Sequence, residues 1–370
     1  MAVIGAGPAG SVCAYSALAM STKIQVALVD GETFPRDKSC GDGVRCDAVS
    51  ILRKLGLGTI FDGKPVIRQL EHTSPPGFKC PEISLTDGEV DPMDEIGYYI
   101  VERKIFDHHL YEAAITQGAK DYTGCRLTDA KFDESQKFWN LILQERSGAR
   151  TAIRSRVLIG ADGAGSRVRR IAGLSLNGQQ HKAVGLRAYA RTEDLAENIM
   201  RVDFTKSLIP GYGWVFPLGG GKVNIGVSLD ARDYRSCGRS LVSYLDEYMG
   251  YLSGQDVAIQ DLSGIKSHSL PLASMSPPLV PRRQLALIGD AAAMINPFTG
   301  EGIHYGIWAG HSLGTAIGKN VSQKKSVQAA LEGYARSYAE RFEETMKQYE
   351  NLRKWLRFLR FLANPAEARS

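Results

Sequence analysis

Gly5-Ala6-Gly7-Pro8-Ala9-Gly10 follows a short apolar strand, residues 2 to 5, and opens a run of small and apolar helix formers from Ser11 to Met20. This order of strand, tight turn and helix leaves the chain little choice of local fold. Gly5 permits the turn, Gly7 lets the backbone approach a pyrophosphate, and Gly10 lets the helix lie close to the strand. Pro8 and Ala9 then begin a helix whose N-terminus faces the phosphate charge. A second apolar run, Ile24 to Val29, ends at Asp30, twenty residues past Gly10. A carboxylate there can accept hydrogen bonds from ribose hydroxyls. The pattern specifies a dinucleotide-binding α/β fold, without separating nicotinamide from flavin dinucleotides.

Two later stretches make that separation. Residues 156 to 167 read RVLIGADGAGSR, a strand running into the turn Gly160-Ala161-Asp162-Gly163. Residues 285 to 302 read LALIGDAAAMINPFTGEG, again a strand, ending at Gly289-Asp290. A nicotinamide domain uses its glycine fingerprint once and then builds a substrate site, whereas here Gly/Asp loops recur after apolar strands. Asp290 can accept hydrogen bonds from ribityl hydroxyls, and the small residues Ala291 to Ala293 start a helix whose amides can face the pyrophosphate. Gly300 and Gly302, flanked by Pro297 and Ile303, let backbone amides reach the edge of a flavin ring. FAD is the expected cofactor.

Composition narrows the remaining classes. The 370 residues, 44% hydrophobic, can bury one or two cores at typical domain sizes of about 100 to 200 residues. No run reaches the roughly 18 consecutive apolar residues of a membrane-spanning helix, and no basic region precedes an apolar one at the N-terminus. The six cysteines, Cys13, Cys40, Cys46, Cys80, Cys125 and Cys237, form no CxxC pair, so neither zinc nor a redox dithiol is expected and a reduced cytoplasm fits best. The adjacent His108 and His109 point to different azimuths and lack a third ligand, so no metal is implied. A net charge of +5, mostly dispersed, argues against a nucleic-acid partner. The exception is the C-terminus, where Arg353, Lys354, Arg357 and Arg360 fall on one helical face and Trp355, Leu356, Leu359 and Leu362 largely on the other. Such a helix packs its apolar stripe on the body with its charges solvated, or offers a basic face for peripheral contact with a membrane.

With these residues in view, the chain resembles the FAD oxidoreductases built on the hydroxybenzoate-hydroxylase fold, through GAGPAG, ADGAGSR and GDAAAMINPFTGEG. Within that superfamily FPRDKSCGDG (34 to 43), PGYGWVFPLGGGKVNIGV (210 to 227) and NPFTGEGIHYG (296 to 306) resemble the geranylgeranyl reductase family, which includes bacterial enzymes that saturate a menaquinone side chain. The resemblance implies non-covalent FAD. It aligns Arg103, in VERKIFD, along the cofactor, and sets the loop Lys38 to Gly43 beside the isoalloxazine ring. Cys40, Gly41 and Asp42 then join the cofactor-binding set, with the Cys40 thiol able to touch substrate or donate a proton.

The expected architecture is a Rossmann-like α/β FAD domain assembled from residues 1–67, 101–180 and 275–320. A substrate domain from 68–100 and 181–274 is inserted, followed by a C-terminal helical segment, 321–370. Alternating stretches such as Lys182 to Arg191 and Lys222 to Leu229 read as strands of an antiparallel sheet. Tyr212, Trp214 and Phe216 alternate, so a strand points all three to one face, with Pro217 marking its end. This aromatic wall suits a hydrophobic, extended substrate such as a prenyl chain. The expected activity is reduction of an isoprenoid double bond by hydride from reduced FAD. The alternative is an FAD-dependent monooxygenase giving an epoxide or hydroxylated product. No second dinucleotide fingerprint is present, so electrons arrive from NAD(P)H bound transiently or from a ferredoxin.

Overall fold

Five short strands of the computed structural model form a parallel sheet in the order Leu285–Leu287, Leu158–Gly160, Ala2–Ile4, Ala27–Asp30, Lys120–Thr123. Residues 1–73, 97–175 and 178–363 are described; Cys80 and much of the expected 68–100 segment lie outside them. Ala2, Val3, Leu158, Ile159 and Leu285 to Leu287 have no exposed surface. Strands covered on both faces read as continuous apolar runs rather than as alternation. The three glycine stretches follow three adjacent strands, Leu285–Leu287, Leu158–Gly160 and Ala2–Ile4, so parallel register delivers all three loops to the same end of the strands.

Helix Pro8–Met20 crosses helix Ile303–Ser322 at very short range. A Cβ added to Gly310, Gly314 or Gly318 would lie 2.3, 2.3 and 2.6 Å from the carbonyl oxygens of Ala9, Cys13 and Ala17. Glycine at every fourth position therefore makes a bare face on which the first helix rests, and the two helix N-termini come side by side.

A second sheet has the order Gln260–Pro271, Lys182–Arg191, Lys222–Asp230, Gly213–Gly219, Ile199–Asp203, Gln69–Thr73. It is antiparallel except at the last pair, where Ile199–Asp203 runs parallel to Gln69–Thr73. Those two strands are far apart in the chain, so no hairpin constrains their direction. The expected strand end at Pro217 is corrected: the strand continues to Gly219, and Pro217 pairs with Val223. The neighbouring ladder from Arg201 to Asp203 stops at Val215, so beyond it the strand is paired on one side only and tolerates proline. Tyr212 precedes the strand. A three-stranded antiparallel meander, Cys125–Asp133, Phe138–Glu145 and Arg150–Ser155, packs Trp139, Leu141 and Leu143 onto the main core.

The C-terminal helix, Val327–Ala363, lays Tyr334, Tyr338, Phe342 and Met346 into that same core. The expectation that the charges of its basic end are solvated holds for Lys354 and is corrected for the three arginines. Arg353 is buried and donates to Asp230 at 2.6 Å; Arg357 reaches Asp230 at 2.7 Å and Asp233 at 2.6 Å, and Arg360 donates to the Ile209 carbonyl at 2.7 Å. The three arginines are turned inward onto Asp230, at the end of the strand Lys222–Asp230, and Asp233, in the helix Ala231–Ser236 that follows it, while Trp355 and Phe358 are exposed. Among the described residues no helix is long and apolar enough to cross a membrane.

Candidate cofactor and substrate site

The glycine loops are tied to one another by backbone and buried side-chain bonds. The Ala6 amide donates to the Asp30 carboxylate at 2.9 Å, and the Ala161 amide to the Ile4 carbonyl at 2.7 Å. Arg169, buried, donates to the carbonyls of Ala164 at 2.7 Å and Ala291 at 2.8 Å, stitching the second stretch to the third. A Cβ on Gly5 would fall 2.1 Å from the Ala161 carbonyl oxygen, and Gly5 has φ +106°, so only glycine fits this turn. Above the loops lies a cavity of about 940 Å³.

Most expected site residues line it: Gly5, Gly7, Pro8, Ala9, Asp30, Cys40, Gly41, Arg103, Asp162, Gly163, Gly289, Asp290, Gly300, Gly302 and Ile303 on the loop side, and Tyr212, Trp214 and Phe216 on the sheet side. Three do not. Gly10 is buried beneath, where a Cβ would meet the Gly5 carbonyl oxygen at 1.9 Å. Pro297 is turned into the interior. Asp42, wholly buried at φ 64°, faces the second sheet and accepts from Tyr189 Oη at 2.9 Å and Asn224 Nδ2 at 2.8 Å. Its expected contact with a cofactor is therefore replaced by an anchoring role, and burial pushes its carboxyl up to about 6.

The loop side suits an anionic diphosphate between two polyols. Helices Pro8–Met20 and Ile303–Ser322 begin at Gly7 and Gly302, with no side-chain cap and no acidic residue in the first turn. Their leading amides are thus left for an anion. Arg36, Lys38, Arg167 and Arg170 line the same space. Asp30 and Asp290 supply acceptors for hydroxyls. Lys38 donates to Asp290 at 2.7 Å and, against the upward push of burial, holds that carboxyl below its usual range. Asp162 accepts from Ser166 and from the amides of Arg167 and Val168, so its carboxylate closes its own turn.

Between loop side and sheet side sit Cys40 and Arg103. Burial pushes the Cys40 thiol up, with Asp42 adding to the effect and Arg103 opposing it. Arg103 makes two bonds to Asp107, at 2.6 and 2.7 Å, and Asp107 also accepts from Arg36 at 3.1 Å. At the far end the aromatic wall is larger than expected: Trp214 lies 6.2 Å from Phe216 and 6.1 Å from Tyr212, and Phe204 stacks on Phe298, which stacks on Tyr349 of the C-terminal helix. Leu70 and Met200 complete an apolar chamber. Polar groups intrude as well: Glu301 accepts from Tyr98 and from Thr299 Oγ1 at 3.2 Å, and lies 3.7 Å from Arg45. Sequence reasoning passed over Arg36, Lys38, Arg45, Phe204, His268, Phe298 and Glu301. Four of them lay inside quoted motifs, but nothing local marks which residues of a loop face inward.

Fold and site together define an FAD-dependent oxidoreductase, and residues 1–216 match the family model described as FAD binding domain. The menaquinone reductase of Mycobacterium tuberculosis is 34% identical over 326 residues, spanning 83% of this chain and 74% of the relative. The digeranylgeranylglycerophospholipid reductase of Methanocaldococcus jannaschii is 29% identical over 364 residues, 95% of this chain and 81% of the relative. A solved geranylgeranyl bacteriochlorophyll reductase-like protein from Thermoplasma acidophilum matches with a TM-score of 0.76 at 21% identity, covering 96% of this chain and 86% of that one. The chain belongs to the geranylgeranyl reductase family of FAD-dependent oxidoreductases.

Proposed function

We propose that this protein reduces a carbon–carbon double bond in the isoprenoid chain of a hydrophobic substrate. The observation that carries this reading is the continuity of one cavity, from phosphate-binding loops and polyol acceptors at one end to a chamber of stacked aromatic rings at the other. Relatives named as reductases of menaquinone and of a digeranylgeranyl lipid support the substrate class.

Residues 1–67, 101–180 and 275–320 form the cofactor-binding part in this reading, and 68–100 with 181–274 the substrate-binding part. Gly5, Gly7, Pro8 and Ala9 cradle the pyrophosphate, Asp30 takes ribose hydroxyls and Asp290 the ribityl chain, displacing Lys38 toward phosphate. Gly163, Gly289, Gly300, Gly302 and Ile303 give backbone access. Arg103, fixed by Asp107, lies along the cofactor. FAD, when bound and reduced, supplies a hydride to one alkene carbon. Tyr212, Trp214 and Phe216 hold the chain straight and exclude water. Cys40, kept as the thiol by burial, delivers the proton to the neighbouring carbon. A Cys40→Ala variant should retain its visible flavin absorbance and lose on the order of a hundredfold in turnover; unchanged turnover at saturating reductant would remove the thiol from the mechanism.

NAD(P)H or a ferredoxin supplies the electrons, and anaerobic bleaching of the flavin by one and not the other identifies the donor. The reaction itself is tested by product mass after turnover with geranylgeranyl diphosphate and with menaquinone, with and without oxygen, the quinone ring being reoxidised before measurement. A side chain heavier by two hydrogens supports the reading. A gain of one oxygen, appearing only in air, sinks it in favour of a monooxygenase.

A further inference from the structure

Asn224, on the strand Lys222–Asp230, is wholly buried and uses one amide to hold three groups. Its Oδ1 accepts from Trp214 Nε1 at 2.9 Å, and its Nδ2 donates to the Cys40 carbonyl and to the Asp42 carboxylate, each at 2.8 Å. Both hydrogens of the amide are thus spent on the Cys40 loop, and its oxygen on the aromatic wall. The two surfaces it joins also touch. A Cβ on Gly41 would lie 2.9 Å from Phe216 Cε2 and 3.6 Å from Trp214 Nε1. Behind the indole is Gly226, where a Cβ would lie 2.2 Å from Trp214 Cζ2. The indole is therefore clamped between bare backbone on the sheet and the Gly41 turn of the loop, with its only polar atom tied to Asn224.

We propose that Asn224 is a positioning residue that locks the Trp214 ring to the Cys40 loop, so that the separation between the Cys40 thiol and a chain lying on the wall is set by a side chain of the substrate sheet. The consequence for turnover rests on the reading that this cavity holds flavin beside an isoprenoid chain; the mechanical link between wall and loop does not. A misplaced loop costs rate more than binding, because the apolar chamber still accepts the chain while the proton donor sits off line.

The test compares wild type, Asn224→Ala, Trp214→Phe and the double variant. In purified protein, the rate of Cys40 alkylation by iodoacetamide, read by peptide mass mapping, should rise roughly two- to tenfold in Asn224→Ala, the change in loop opening that a lost hydrogen bond brings. It should also rise in Trp214→Phe, which keeps a ring and leaves Asn224 and the loop untouched. With menaquinone as substrate, kcat should fall by about 10- to 100-fold in Asn224→Ala with KM changed by less than about threefold. Adding Trp214→Phe should cost little more, since both remove the same link. Wild-type alkylation rates in both single variants, or losses in kcat that multiply in the double variant, overturn the proposal. If Asn224→Ala fails to fold, Trp214→Phe alone decides it through the alkylation rate. Wild-type protein that takes up no FAD or leaves the side chain unsaturated overturns the functional reading instead, and the alkylation comparison, which needs no turnover, still stands.

Discussion

Asp42 sits between two requirements. Its backbone, at φ 64°, makes the turn that exposes Cys40, and its carboxylate must be buried against the second sheet to hold that turn. Burial raises its pKa from 3.8 to about 6, against the opposing effects of Asn224, Tyr189, Arg187 and Arg103. A raised carboxyl pKa means that the folded protein holds this proton more tightly than the unfolded chain. The stabilising effect is full below about pH 3.8 and is lost as pH rises through about 6. Asp42→Asn keeps an acceptor for Tyr189 and removes the titration. Its Tm relative to wild type should therefore climb as pH rises through that window and level off above it, as thermal unfolding across pH would measure. A constant difference would mean that Asp42 is already ionised at no cost. Sequence reading found this residue through its motif and misjudged its direction, because its partners Tyr189 and Asn224 lie 147 and 182 positions away.

Among elements, the pair of helices under the cavity depends on the glycines at 306, 310, 314 and 318, a four-residue spacing that was legible in the sequence and went unread. The glycine fingerprint explained the first helix alone, and nothing local shows that a second helix leans on it. Gly314→Val forces a side chain against the Cys13 carbonyl, where a Cβ would already lie 2.3 Å away. The expected result is a loss of roughly 1–3 kcal/mol of stability, together with reduced FAD content, since both helix N-termini shift. Chemical denaturation and flavin absorbance per chain measure the two effects. The C-terminal helix fails differently as a sequence reading. Its periodicity separated charged from apolar residues, but Leu356 is buried beside Arg353 while Lys354 and Trp355 are exposed, and the partners that draw the arginines inward, Asp230 and Asp233, lie more than a hundred residues upstream. Arg353→Met removes the most buried of the three arginines, Arg232, Arg353 and Arg357, that compensate the fully buried Asp230 carboxylate, and should destabilise by about 3 kcal/mol. Arg357→Met, at a more exposed position, should cost less. Equal, small losses from both would show the network to be no more than a surface ornament.

Across the whole molecule, the parts visible in the sequence were those that local backbone chemistry dictates. Gly5, Gly7, Asp162, Gly163, Gly289 and Asp290 could be placed because turn, close approach and strand end are written in neighbouring residues. The parallel sheet followed from three apolar runs each ending in such a loop. What could not be read was the meeting of distant segments: Lys38 with Asp290, Arg169 with both later loops, and Tyr349 of the last helix at the back of the aromatic chamber. Those contacts turn three cofactor loops and an aromatic strand into one cavity, and on that cavity rests the claim that electrons held at the loop side pass to a chain held at the sheet side. Anaerobic single turnover tests it most directly. Chemically reduced holoprotein is mixed with one equivalent of menaquinone while the flavin absorbance is followed, and the side-chain mass is measured after air restores the quinone ring. The account predicts that oxidised flavin returns without oxygen and that the side chain is heavier by two hydrogens. Flavin reoxidised with no change in the side chain, or reoxidised only when air is admitted, would contradict it.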